Sequence, residues 1–115
     1  MNAETRRAVA FIAGSLVSGQ RRASVYDYSV GHHTSFSGQV GERVSVYDYD
    51  AGCHISGNLP SLYHYGASAH LTLKVVGTKF NGYDYATSSH FNGTVRGRSI
   101  SLYDYGEAGY FNYTV

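Results

Sequence analysis

The stretch Tyr83-Asp84-Tyr85-Ala86-Thr87-Ser88-Ser89-His90-Phe91-Asn92-Gly93-Thr94-Val95 decides the fold, because its pattern recurs along most of the chain. Tyr-x-Tyr pairs stand at Tyr26/Tyr28, Tyr47/Tyr49, Tyr63/Tyr65, Tyr83/Tyr85 and Tyr103/Tyr105, so the first tyrosines are spaced by 21, 16, 20 and 20 residues. The middle residue is Asp27, Asp48, Asp84 or Asp104, with His64 in the third unit. Seven residues after each first tyrosine come His33, His54, His70, His90 and finally Tyr110. An apolar residue and often Gly-x-Val follow, as in Phe91-Asn92-Gly93-Thr94-Val95. Self-similarity at such a period is the mark of a repeat architecture.

Both halves of a unit alternate with period two and therefore read as strands. The four residues between them, such as Asp50-Ala51-Gly52-Cys53, suit a tight hairpin. If the middle two form the turn, the second tyrosine faces the histidine and the aspartate faces the apolar residue. One face then carries Val or Leu, Asp, Phe or Ile, and Gly, while the other carries both tyrosines, the histidine and Ser or Asn. The first is the expected core face. Its aspartate is a conflict, resolved if the carboxylate lies near the hairpin end and accepts bonds from turn amides or a neighbouring hydroxyl.

The spacing Tyr83, Tyr85, Phe91, Gly93, Val95 resembles MORN-type repeats, in which a tyrosine pair, a turn and an aromatic-x-Gly-x-apolar strand build each β-hairpin. The resemblance extends over residues 23–115, with a shorter period and no Gly-x-Gly between units. It implies hairpins laid side by side and a scaffolding or partner-binding role. The expected fold is all-β with one short N-terminal helix, the five hairpins forming an antiparallel meander, open or closed into a barrel. A β-solenoid with one coil per repeat is the rival. Against it, the step of 16 would have to shrink a whole coil, whereas a hairpin can lose two residues from each strand.

At 115 residues the chain fits one domain, with a helix and linker over 1–22 and the repeats over 23–115. Twelve Tyr, fourteen Gly and one Pro suit strands and tight turns. Arg6 and Arg7 precede the apolar run Ala8–Val17, which superficially resembles a secretory signal. Glu4 interrupts the basic region, and the run is too short to span a bilayer. It reads better as an amphipathic helix capped by Asn2 and ended by Gly19, with Ala8, Phe11, Ile12, Ser15 and Leu16 on one narrow face. Such a helix is expected to pack on one end or face of the sheet. A cytoplasmic location is favoured, and secretion is left open by the single cysteine, Cys53.

Nine Lys and Arg against eight Asp and Glu give no electrostatic footprint for nucleic acid or acidic membrane. The columns of Tyr26, Tyr28, Tyr47, Tyr49, Tyr63, Tyr65, Tyr83, Tyr85, Tyr103 and Tyr105, with His33, His54, His70 and His90, are the feature able to carry a shared function. Tyrosines offer rigid amphipathic area for a protein partner, a second copy of the chain or a glycan. The structural alternative is that they stabilise the sheet, at roughly 0.2 to 1 kcal/mol per cross-strand pair.

Metal binding is disfavoured, since equivalent histidines of successive hairpins stand two strands, about 9 to 10 Å, apart. The pair His32-His33 beside Cys53-His54 is the one cluster to watch. Catalysis requires a unique asymmetric constellation, and a motif used five times argues for construction instead. No catalytic residue, metal or cofactor is assigned. Thr72-Leu73-Lys74-Val75-Val76 replaces Gly-x-Val in the third unit and suggests a central strand covered on both faces, or an oligomer contact. In an open sheet the last strand, from Tyr110 to Val115, would be an unprotected edge able to pair into a homodimer.

Overall fold

The computed structural model describes residues 1–20 and 22–115, which form one helix and ten strands. Helix α1 (Ala3–Ser18) is followed by β1 (Ser24–Asp27), β2 (His32–Gln39), β3 (Arg43–Asp48), β4 (Cys53–Asn58) and β5 (Ser61–His64). Then come β6 (Ala69–Val76), β7 (Lys79–Asp84), β8 (Ser89–Arg96), β9 (Ser99–Asp104) and β10 (Gly109–Thr114). Each strand pairs antiparallel with its sequence neighbours, and β10 returns to β1 through Tyr26 opposite Thr114 and Asp27 opposite Tyr113, closing the barrel. The meander therefore takes its barrel form, and antiparallel pairing throughout replaces the solenoid. Because β1 occupies it, β10 has no free edge, and the expected edge for homodimer pairing is consumed within the chain.

Within each hairpin the register differs from the expected one by two residues. The first tyrosine, not the second, faces the histidine: Tyr26 opposite His33, Tyr47 opposite His54, Tyr63 opposite His70 and Tyr83 opposite His90. The aspartate faces the residue before the histidine, as Asp48 faces Cys53 and Asp84 faces Ser89. The reason is a four-residue loop that begins at the second tyrosine and ends in the left-handed region, at Gly31, Gly52, Ser68, Ser88 or Ala108. Around that loop the Asp48 carbonyl accepts from the Gly52 amide at 2.8 Å. A shift of two preserves the parity of every side chain, so both faces keep their expected residues.

The helix lies inside the barrel, not on it. Thr5 through Ser15 are buried, and Val9, Ala10, Ile12 and Ala13 are 1 % exposed or less. Sixteen residues span about 24 Å, close to the 25 Å short extent of the molecule. Asn2 caps the start by accepting from the Thr5 amide at 2.9 Å, and Gly19 ends the helix at φ 65°, as expected from the sequence. Strand β6 alternates like its neighbours, with Leu71 and Leu73 inward and Lys74 and Val76 exposed, so the expected cover on both faces is absent.

Ring against glycine fills the wall. Phe80 faces Gly93, and Phe91 faces Gly82. A β-carbon on Gly93 would stand 2.2 Å from the Phe80 ring, so only glycine leaves that ring its place. Further along, Phe11 of the helix stacks on Phe36 with ring centres 4.4 Å apart.

The barrel's polar anchor is at the helix N-terminal end. Arg7 binds the Asp48 carboxylate through Nε and Nη2, both at 3.0 Å. Arg6 Nη1 stands 3.1 Å from Asp104, beside the Met1 amino group at 3.2 Å. All three aspartate contacts are sealed from solvent, so removing one partner strands a buried charge. We expect Arg7→Met to cost about 3 kcal/mol or more of stability and Arg7→Met with Asp48→Asn to recover a large part, measured as a denaturant double-mutant cycle. Additive losses would deny the coupling. At the loops, Ala108 holds φ 54° against its β-carbon, so Ala108→Gly should stabilise by about 0.5 to 1 kcal/mol, read as a raised denaturation midpoint.

Candidate functional site

Tyrosine and histidine side chains encircle the outside of the barrel at the end where the aspartates and the helix N-terminus lie. The first tyrosine of each pair is half-buried, because strand neighbours flank it on both sides. The second begins the loop and is 56 to 61 % exposed in all five units. The two rings meet edge to face, with centres 4.7 to 5.0 Å apart. On its other side each first tyrosine meets the histidine across the hairpin at 4.6 to 4.8 Å, again edge to face. Tyr110 takes the histidine's place in the fifth unit, 4.8 Å from Tyr103 and 70 % exposed.

Backbone bonds fix the second tyrosine from the adjoining hairpin: the amides of Tyr65, Tyr85 and Tyr105 donate to the carbonyls of His54, His70 and His90. Hydroxyl contacts add to this in three units. Tyr28 meets Thr114 Oγ1 at 3.1 Å, Tyr49 meets Ser37 Oγ at 3.0 Å, and Tyr105 accepts from Asn92 at 3.0 Å. The result is an aromatic belt ordered by the barrel's own backbone and hydroxyl contacts. Away from it the outward positions are mainly polar, including Ser35, Ser45, Asn58, Lys74, Lys79, Asn81 and Arg96. A lipid-facing barrel turns an apolar band outward, and these strands do not. Among the described residues no helix is long and apolar enough to cross a membrane.

Inside, the aspartates resolve the conflict posed by their apolar face. One oxygen of each accepts the amide two residues on: Ser29 to Asp27 at 2.9 Å, Asp50 to Asp48 at 2.9 Å, Ala86 to Asp84 at 3.0 Å and Gly106 to Asp104 at 2.9 Å. His64 performs a related duty with its ring, Nδ1 accepting from the Ala67 amide at 3.1 Å. Its Nε2 is then the protonated nitrogen, buried without a partner among the described residues.

The anticipated cluster of His32, His33, Cys53 and His54 does not assemble. Cys53 points inward, 4.0 Å from His64 Nδ1, while His54 points out and His32 stands 4.0 Å from Asp50. Burial raises the Cys53 thiol above its ordinary value and lowers His64 below its own. Neither shift favours a thiolate–imidazolium pair. Among the described residues no group of three or more His, Cys, Asp or Glu is placed to hold a metal ion. The Arg6 and Arg7 ion pairs were not read from the sequence. Their signal was two cations heading an apolar helix, opposite four carboxylates on an apolar face.

No protein-family model, curated protein or solved structure matches this chain.

His64 gives a pH dependence of known sign. Its folded pKa lies below the ordinary 6.5 because burial disfavours the cation. Between the two values the unfolded chain holds more protons, so this contribution to stability is present above the unfolded pKa. It is lost as pH falls through the lower folded one. The melting temperature of the wild type should drop more steeply below about pH 6.5 than that of His64→Asn, and parallel curves would dissociate His64 from the effect.

Proposed function

We propose that this domain is a non-enzymatic binding module, and that the tyrosine and histidine belt is its contact surface for a protein partner or a second copy of the chain. One observation carries the reading: five large rings at Tyr28, Tyr49, Tyr65, Tyr85 and Tyr105 are held more than half exposed by a backbone that orders them. The half-buried first tyrosines already supply the cross-strand packing, so stability alone does not account for the outer ones. Rigid tyrosines lose little entropy on docking, which suits a recognition surface. Repetition around the barrel suits several equivalent contacts, where linked weak sites gain by effective concentration.

Catalysis draws no support from this surface, since each belt residue has a structural counterpart in every unit. The test is a variant with Tyr49, Tyr65, Tyr85 and Tyr105 each changed to Thr. It should retain the barrel by circular dichroism while losing concentration-dependent association in sedimentation velocity, or losing a partner captured by the wild type. Unchanged association by the folded variant would remove the belt from the contact. Glycan-array binding that disappears in the variant would redirect the same surface to sugars.

A further inference from the structure

We propose that the partner of the tyrosine belt is a second copy of this chain, docked head to tail on the outer wall of β6, β7 and β8. The inference rests on the belt being a contact surface and adds the surface it meets. Near balance of charge in the sequence conceals a separation along the barrel. Arg43 and Lys79 begin their strands at the end away from the belt, and Arg96 closes β8 there. Arg98 lies in the turn that follows, and Lys74 stands two residues inside the end of β6. Glu42 is the one acid at that end among the described residues. At the belt end the exposed charges are acidic: Glu4 in the first turn of α1, with Asp50 and Glu107 in the loops. Arg6 and Arg7 are also there, but buried on Asp104 and Asp48. The molecule extends 25 to 30 Å in each direction, against a screening length of about 8 Å at physiological salt, so an approaching surface meets one end and not the net charge.

Two patches match in detail. On the wall, Val76 faces Lys79 across the β6–β7 pair, which puts Lys74 at a diagonal position to Lys79. Arg96 is diagonal to Lys79 on its other side, two residues beyond Thr94, which Lys79 faces. All four side chains are exposed, Val76 by 63 %, and none of the three cations is paired with a carboxylate among the described residues. Diagonal sheet neighbours stand roughly 7 to 8 Å apart, so these like charges repel until opposite charge covers them. At the belt end the β1–β2 hairpin lies between β10 and β3, which sets three loops side by side. Val30, 57 % exposed, belongs to the middle loop, with Glu107 in the loop on one side and Asp50 in that on the other. The Thr34 hydroxyl donates to the Asp50 carboxylate at 2.7 Å and holds it in place. Tyr28, Tyr49 and Tyr105 open the same three loops. A valine flanked by two acids thus matches a valine among three cations, and the tyrosine rings add faces on which a guanidinium or ammonium can rest. The apolar centre of the basic patch suits a protein surface better than a phosphate backbone. Because belt and wall are different surfaces, the contact is heterologous, and each added copy leaves a belt and a wall free for the next.

Sedimentation velocity of the whole protein tests this. The wild type should associate with rising concentration in about 50 mM salt and lose about tenfold or more in affinity in about 500 mM. Salt-independent association would overturn the contact without recourse to any variant. A wall variant, Lys74→Gln with Lys79→Gln and Arg96→Gln, and a rim variant, Val30→Ser with Asp50→Asn and Glu107→Gln, should both keep the barrel by circular dichroism. Each alone should sediment as a monomer where the wild type associates. Mixed, they should form a dimer of one each and nothing larger, since one retains the rim and the other the wall. A mixture that stays monomeric, a wall variant that associates like the wild type, or a wild type that is monomeric up to about 1 mM would overturn the head-to-tail contact while leaving the belt free to bind another protein. The belt reading itself falls on a different result, unchanged association of the four-tyrosine variant. A mixed-sequence oligonucleotide that binds a monomeric wild type, but not the wall variant, would overturn the proposal by giving the wall to a polyanion.

Discussion

A ten-stranded barrel encloses more space than its own inward side chains can fill, since about eight strands already suffice for a side-chain-packed interior. Filling that space is the constraint on which the rest of the molecule depends. A helix meets it because its backbone hydrogen bonds are satisfied internally, leaving only side chains to be matched to the wall. It must then be apolar all round over its middle, which Ala8 through Ala13 provide. Small residues permit the closest approaches. A β-carbon at Gly14 would come within 3.0 Å of Ile100 and Val115.

The same constraint explains the aspartates. Where the hairpin loops turn over the barrel end, four amide donors need acceptors on the inner side, and carboxylates supply them. Four buried carboxylates cannot stand without cations nearby, and the helix brings Arg6 and Arg7 into their midst against the preference of its own dipole. Helix and loops thus fasten each other. In the third unit His64 keeps the loop contact without adding charge, which limits the negative charge that the helix must offset.

Much of this was legible in the chain and part was not. Period-two alternation assigned Tyr and His to one face and Val, Leu and Asp to the other, and that division survived a register error because a shift of two leaves parity intact. The register itself hinged on the left-handed residue closing the loop. Glycine marks that residue in the first two units, but Ser68, Ser88 and Ala108 hide it in the others. The helix was legible in its caps and extent. Its position was not, because periodicity reports one face, whereas enclosure by the barrel depends on closure between β1 and β10, a contact far apart in sequence. Charge arithmetic was the missed signal: carboxylates on an apolar face need cations, and the helix carries two.

Symmetry separates the two ends of the barrel. At the tyrosine end each unit repeats one loop, so any chemistry there is offered five times over and suits multiple weak contact. At the other end the repeat is broken. The connection after β2 has three residues, Val40-Gly41-Glu42, and that after β4 passes through Leu59-Pro60, whereas Gly77-Thr78 and Gly97-Arg98 make matching two-residue turns. Two cavities abut these irregular connections, the first reaching Val40 and the second Gly41, Glu42, Leu59 and Pro60. The irregular units therefore set this end apart from the fivefold end, and Leu16 in the last turns of the helix that fills the barrel lines both cavities.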